Sequence, residues 1–208
     1  MKTQNTSKTR PLVVGIGGST RPGSTSERAM RDALAIVEEV GCDTIAFAGP
    51  DLLLPHFEMG IADAHPVATR MITALRKASG IIIASPGYHG SISGIVKNAL
   101  DYTEEMRNDA RPYFEGRVAG CIVCANGAQA VGTTLIAMRS IVHALRGWPT
   151  PYGVAIQTDI KPSGARQPAD WMPGLRIMSE QVAAFALSDV AAKLCAQRND
   201  DVIISRAS

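Results

Sequence analysis

Apolar residues gather along the chain in short unbroken runs, at Leu12–Ile16, Thr44–Ala48, Gly80–Ala84, Val118–Ala125 and Tyr152–Ile156. Runs this short, rich in Val and Ile and without polar alternation, predict parallel strands covered on both faces. Between them the period changes. Ser26–Val40 sets Ala29, Ala33, Ile36, Val37 and Val40 on one helical face, with a serine cap before it and Gly41 behind it. Pro66–Ala78 repeats the pattern, with Val67, Met71, Ile72 and Leu75 facing in and Arg70, Arg76 and Lys77 facing out. Gly132–Leu145 and Ala169–Ala196 predict later helices, and Ser93 to about Met106 a shorter one. This alternation predicts a doubly wound α/β domain whose right-handed crossovers leave a ligand crevice beyond the carboxyl ends of the strands. Function is therefore expected in the loops after the first, third and fourth strands. Gly49–His65 and Gln157–Asp170 fall outside the pattern and are long enough to be functional loops rather than connectors.

Composition narrows the class. The 208 residues, 46% hydrophobic and 19% charged, lie far from the corner where chains stay disordered, and the length suits one domain over 11–208 behind a flexible tail at 1–10. A net charge of +2 is too slight to point to nucleic acid. Met1–Arg10 is polar and no apolar export segment follows it, so a cytoplasmic chain is expected. The alanine-rich stretch from Val182 to Ala196 is interrupted by Asp189 and Lys193 and falls short of the ~20 apolar residues of a membrane span. Cysteines at 42, 121, 124 and 195 read as free thiols; Cys121 and Cys124 have C-x-x-C spacing, but three residues apart on a strand they point to opposite faces. What stands out is 19 Gly and 12 Pro beside 5% aromatics, which predicts tight turns that approach a ligand closely.

The first such turn is Gly17-Gly18-Ser19-Thr20-Arg21-Pro22-Gly23-Ser24-Thr25-Ser26. It leaves a buried strand and enters a helix, so its amides converge at the positive end of a helix dipole, a geometry that holds an anion. Two phosphate motifs fail here. Gly18 and Gly23 have P-loop spacing, but Ser24 stands where the phosphate-reaching lysine is needed. Gly15 and Gly17 begin a dinucleotide fingerprint, but Thr20 replaces its third glycine and Ala46-Phe47-Ala48 offers no acid for a ribose diol. A hydroxyl-lined cradle without lysine suits a phosphate monoester such as that of a mononucleotide.

The loop after the third strand reads Ser85-Pro86-Gly87-Tyr88-His89-Gly90-Ser91, and a helix with Lys97-Asn98-Ala99-Leu100-Asp101 follows. Together, G-S-T-R-x-G-S-x-S and P-x-Y-H-G-S-x-x-G-x-x-K-N-A-L-D resemble the NADPH-dependent FMN reductase family of the flavodoxin-like superfamily, over about Leu12 to Gly147. The resemblance implies a five-stranded parallel sheet in the order 2-1-3-4-5 with helices on both faces, FMN as the flavin, and NADPH or NADH as hydride donor. It implies further that Ser19, Thr20, Arg21, Ser24 and Ser26 hold the FMN phosphate, and that Pro86, Gly87, Tyr88, His89, Gly90 and Ser91 edge the isoalloxazine. Asn126 and Gly127 keep part of the small-residue loop that the family places beside the ring. His89 stands where many relatives have Asn, and two roles remain open for it: proton transfer, or shaping the loop. Lys97 and Asp101, four apart on a helix, read as a surface ion pair, and Trp148 and Trp171 as packing residues.

With FMN in the crevice the hydride chemistry belongs to the cofactor, in keeping with a sequence that offers no Ser-His-Asp, paired-carboxylate or clustered metal-ligand set. The implied acceptor is free flavin passed to a monooxygenase, or a quinone, azo or metal-oxyanion acceptor reduced on tightly held FMN. A flavodoxin-type electron carrier fits less well, because such proteins present an acidic docking face and this chain carries +2. The family also implies a homodimer or homotetramer, with Pro50–Asp63 or Gln157–Trp171 of the neighbour walling the site.

Overall fold

The computed structural model describes residues 10–158 and 170–188; the tail at 1–9, most of the Gln157–Asp170 loop, Cys195 and the predicted helix beyond 188 lie outside the described residues. In chain order the elements are β1 (Leu12–Gly17), α1 (Thr25–Val40), β2 (Asp43–Ala48), α2 (Pro66–Lys77), β3 (Gly80–Tyr88), β4 (Ser91–Ile92), α3 (Gly94–Asp101), β5 (Val118–Ala125), α4 (Ala128–Ala144), β6 (Trp148–Pro149), β7 (Val154–Gln157) and α5 (Met172–Leu187). Short 3-10 turns at Gly49–Leu52, Ile61–Ala64 and Tyr102–Met106 complete the described elements.

Four strands pair in parallel in the order β2-β1-β3-β5, and a fifth position beside β5 is shared by β6 and β7. This is the flavodoxin-like order predicted, with its last strand split in two. The split has a local cause. Pro149 and Pro151 have no N–H to give a ladder, and the Tyr152 amide donates instead to Gln181 Oε1 at 3.0 Å. Pairing therefore resumes at Val154, two residues later than the sequence suggested. Two further boundaries moved. β3 continues past Ala84 to Tyr88 because its last two residues fold back in antiparallel register on β4. α4 starts at Ala128, four residues before Gly132, and a 3-10 turn rather than α-helix carries the chain from Tyr102 to Met106.

The sheet divides two cores. On one face Val14, Ile16, Ile81, Ile83, Ala119, Cys121 and Val123 meet α2, α3 and α4; on the other Val13, Ile82, Ala84, Val118, Ile122 and Cys124 meet α1 and α5. Strand alternation thus sends Cys121 and Cys124 into opposite layers, as their spacing on a strand requires. Both thiols are free. Burial pushes each up to about 12, with Arg139 pulling weakly downward on Cys121 and Arg28 on Cys124. The largest buried polar group is Arg117, 1% exposed, whose guanidinium donates to the Leu75 and Arg76 carbonyls at 3.0 Å each and so caps the end of α2 from beneath. No described helix is long and apolar enough to cross a membrane.

Candidate functional site

The loop after β1 is bound to the sheet before it is bound to anything else. A Cβ on Gly17 would stand 2.4 Å from the Ala84 carbonyl oxygen, so only glycine lets β1 and β3 separate this closely at their ends. The Gly18 amide then donates to that same carbonyl at 3.1 Å. From there the chain folds on its own side chains. Ser19 Oγ accepts the Arg21 amide at 3.2 Å, and Ser24 Oγ accepts the Glu27 amide at 3.3 Å, making Ser24 the N-cap of α1. The helix consequently begins at Thr25, one residue before the predicted start, and Ser26 lies within its first turn. Ser26 Oγ sits 3.4 Å from Ser24 Oγ. Two hydroxyls and the unladdered first-turn amides are thereby concentrated at one end of the helix.

The loop after β3 is a two-residue hairpin. Tyr88 faces Ser91 across it, and both residues at its tip have positive φ, 51° at His89 and 85° at Gly90. Two consecutive left-handed residues are the signature of a type I′ turn, which favours Asn or Asp followed by Gly. His89 thus occupies a turn position where an asparagine is equally at home, and its side chain is exposed. Beneath the hairpin, Ser85 Oγ accepts the Ser93 amide at 2.9 Å and donates to the Pro86 carbonyl at 2.8 Å, bracketing the loop's two ends from a fully buried position.

Between these loops lies a cleft of about 310 Å³ at the carboxyl ends of β1, β3 and β5. Ser19, Arg21, Ser24 and Ser26 line one end; Pro86, Gly87, Tyr88 and Asn126 line the other. Gly90 and Gly127 border an adjoining recess of about 430 Å³ that shares Asn126 with the cleft. Thr20, His89 and Ser91 lie outside the walls of both. Four wall residues escaped the sequence reading: Thr25, Cys124, Ala125 and Thr158. Cys124 and Ala125 had a signal, being the last residues of a strand that had to end at the crevice. Thr158 falls at the start of the Gln157–Asp170 loop, and its amide donates a hydrogen bond to the Ala125 carbonyl at 2.8 Å.

The wall chemistry fits FMN. Four hydroxyls and one solvent-facing guanidinium form a donor set for a phosphate monoester at one end, while at the other Pro86 and Gly87 present backbone rather than bulk and Tyr88, 55% exposed, stands at the rim. Other candidates are accounted for elsewhere. Trp171 donates its indole N–H to Asp32 at 2.9 Å and lies under Arg28, so it packs on α1. Trp148 pairs with Val118 at the opposite end of β5 from the cleft. Lys97 and Asp101 form the expected surface pair. Arg139 donates to the Thr150 carbonyl at 2.6 Å. Among the described residues no group of three or more His, Cys, Asp or Glu could hold a metal ion.

Residues 11–160 match the sequence profile of NADPH-dependent FMN reductases. The chain belongs to this family. The family comprises oxidoreductases that work with FMN and NAD(P)H. An iron-sulfur flavoprotein of Archaeoglobus fulgidus is 30% identical over 141 residues, 63% of this chain and 69% of that one. A probable NADPH:quinone oxidoreductase of Oryza sativa is 34% identical over 134 residues, 62% of this chain and 63% of that one. The chain thus spans between three fifths and seven tenths of the length of these relatives. Among solved structures, an NAD(P)H:acceptor flavoenzyme of Paracoccus denitrificans superposes with a TM-score of 0.61 at 20% identity, covering 88% of this chain and 98% of that one. An archaeal flavodoxin does so with a TM-score of 0.59 at 7% identity, covering 85% and 99%. Both are likenesses of fold.

Proposed function

We propose that this protein is an NAD(P)H-dependent flavin reductase that holds FMN in the cleft between the β1 and β3 loops. The observation that carries this reading is the polarity of the cleft, with hydroxyls, a helix N-terminus and Arg21 at one end and the Pro86-Gly87-Tyr88 backbone edge at the other. Ser19, Arg21, Ser24 and Ser26 then serve the phosphate end, while Thr20, expected beside them, lies outside the cleft wall. Pro86, Gly87, Tyr88, Gly90, Asn126 and Gly127 serve the ring, with His89 and Ser91 holding the hairpin that carries them. When bound, FMN supplies the hydride-accepting chemistry. The protein supplies position, a rim open to the nicotinamide, and no acid or base of its own. The physiological acceptor in this reading is free flavin, delivered to a flavin-consuming enzyme such as a monooxygenase.

A second reading keeps FMN bound and passes its electrons to quinone-like acceptors; the 34% identity with a probable quinone oxidoreductase favours it. Purification followed by an absorbance scan, then NADPH oxidation with and without added FMN, separates the two. A colourless protein whose turnover requires added flavin supports the first, and a yellow one with stoichiometric FMN supports the second. A protein that binds no FMN and oxidises no NAD(P)H in either assay overturns both.

A further inference from the structure

We infer that Glu27 is a positioning residue for the phosphate loop, a carboxylate clamp that fixes the turn from behind without touching the ligand. The inference rests on the reading of the cleft as an FMN site and concerns a residue outside its wall. Ser24 and Glu27 have the S-x-x-E spacing of a capping box, in which the glutamate ordinarily reaches back to the amide of the cap residue itself. Here it reaches one residue further. Glu27 Oε2 accepts the Gly23 amide at 2.9 Å, and the Ser24 amide is left out of the clamp.

Gly23 is where the loop needs fixing. It has φ of +65°, and apart from its chain neighbours no atom lies within 4 Å of where its Cβ would be, so side-chain packing at that position does not hold it. The hydrogen bond that its amide donates to Glu27 ties this residue to the helix. The carboxylate itself is set in place from two sides. Glu27 is 8% exposed, with its Cβ 3.3 Å from the Cβ position of Gly18 and Oε2 3.7 Å from that of Gly49, so it fills the space between the ends of β1 and β2. Its other oxygen, Oε1, accepts both Nε and Nη2 of Arg31 at 3.0 and 2.9 Å. The two oxygens are thus divided, one for the loop and one for a countercharge. The countercharge matters because a bare carboxylate behind a phosphate loop repels the anion the loop is built to receive. With Arg31 on Oε1, Glu27 fixes the loop at little net charge.

The clamp depends on reach rather than on charge, and two near-isosteric variants separate them. Glu27→Gln keeps the reach and an acceptor oxygen; Glu27→Asp keeps the charge and falls one methylene short of Gly23. Affinities of wild type and both variants are measured for FMN and for riboflavin, which lacks the phosphate, alongside thermal unfolding. The clamp predicts FMN binding weakened about tenfold in Glu27→Asp and within about twofold of wild type in Glu27→Gln, with riboflavin affinity changed less than about twofold in both. Equal weakening for FMN and riboflavin overturns it, since a general loss of fold spares neither ligand. So does unchanged FMN affinity in Glu27→Asp, or a Gln variant weaker than the Asp one, or failure of both variants to fold. A wild-type protein that binds neither flavin overturns the FMN site itself, a result distinct from wild-type binding that the variants leave untouched.

Discussion

Two long loops follow neighbouring strands at the carboxyl edge of the sheet, and they are held by opposite means. Beyond the Gly18 amide's bond to Ala84, the loop after β1 is tied by bonds that span a few residues: Ser19 with Arg21, Gly23 with Glu27, Ser24 with Glu27, Glu27 with Arg31. The 49–65 loop after β2 is tied across more than forty residues to α3 and the 3-10 turn behind it. Asn98 Oδ1 accepts the Phe57 amide at 2.9 Å, and Asn98 Nδ2 donates to the Pro55 carbonyl at 2.8 Å. The Tyr102 hydroxyl donates to that same carbonyl at 3.0 Å, Phe57 stands edge-on to the Tyr102 ring at 5.3 Å, and Glu105 Oε1 accepts the Gly60 amide at 2.7 Å. A loop fixed mainly by its own helix depends on few distant contacts. A loop fixed by a distant helix keeps its shape only while both elements stay docked.

The largest expected effect breaks the second loop and spares the first. Asn98→Ala removes bonds to Phe57, Pro55 and, at 3.4 Å, Leu54, and is expected to cost about 3 kcal/mol at roughly 1 kcal/mol per bond. Urea unfolding measures the loss, and limited proteolysis locates it: cleavage is expected within 53–60. Unchanged protease resistance there would show the loop to be self-supporting like its neighbour. Next in size is the converse. Arg21 is exposed and lines the cleft, so Arg21→Ala is expected to weaken FMN binding by about 2 kcal/mol, roughly thirtyfold, with the melting temperature unmoved. A fall in melting temperature as large as the loss of affinity contradicts the division between ligand loop and scaffold.

The smallest effect tests whether the third wall is as rigid as the first. Cys124 borders the cleft, but burial holds its thiol at about 12 against an ordinary 9.0. In the native chain it is expected to resist alkylation at pH 8, whether or not flavin is present, and to react once denatured. Linkage gives the accompanying sign. Below pH 9 both states keep the proton and stability is indifferent to it; from pH 9 to about 12 only the unfolded chain releases it, so the folded state loses ground as pH rises through that window. Rapid alkylation of native protein at pH 8 would mean that the end of β5 opens.

How much of this was legible in the chain follows the same division. Glycines and hydroxyls crowding ten residues after an apolar run marked the loop after β1, because most of the bonds that shape it are local, the Gly18 amide's bond to Ala84 apart. The C-x-x-C spacing announced its own irrelevance, because strand alternation is a property of the backbone alone. The turn at His89 and Gly90 showed itself only in their positive φ, although the His-Gly pair between two short extended segments carried the signal. Asn98 lay in plain view inside a recognised motif, yet nothing near it in sequence names Phe57 or Pro55 as its partners.

Sequence by itself determined the alternation of strands and helices, the two-layer cover of the sheet and the hydroxyl-rich turn after β1, since each depends on periodicity or on neighbours within one helical turn. Tertiary structure alone decided the bond of the Tyr152 amide to Gln181, the entry of Thr158 into the cleft and the anchoring of the 49–65 loop by Asn98. In each of these a backbone polar group pairs with a partner that is near in space and remote along the chain.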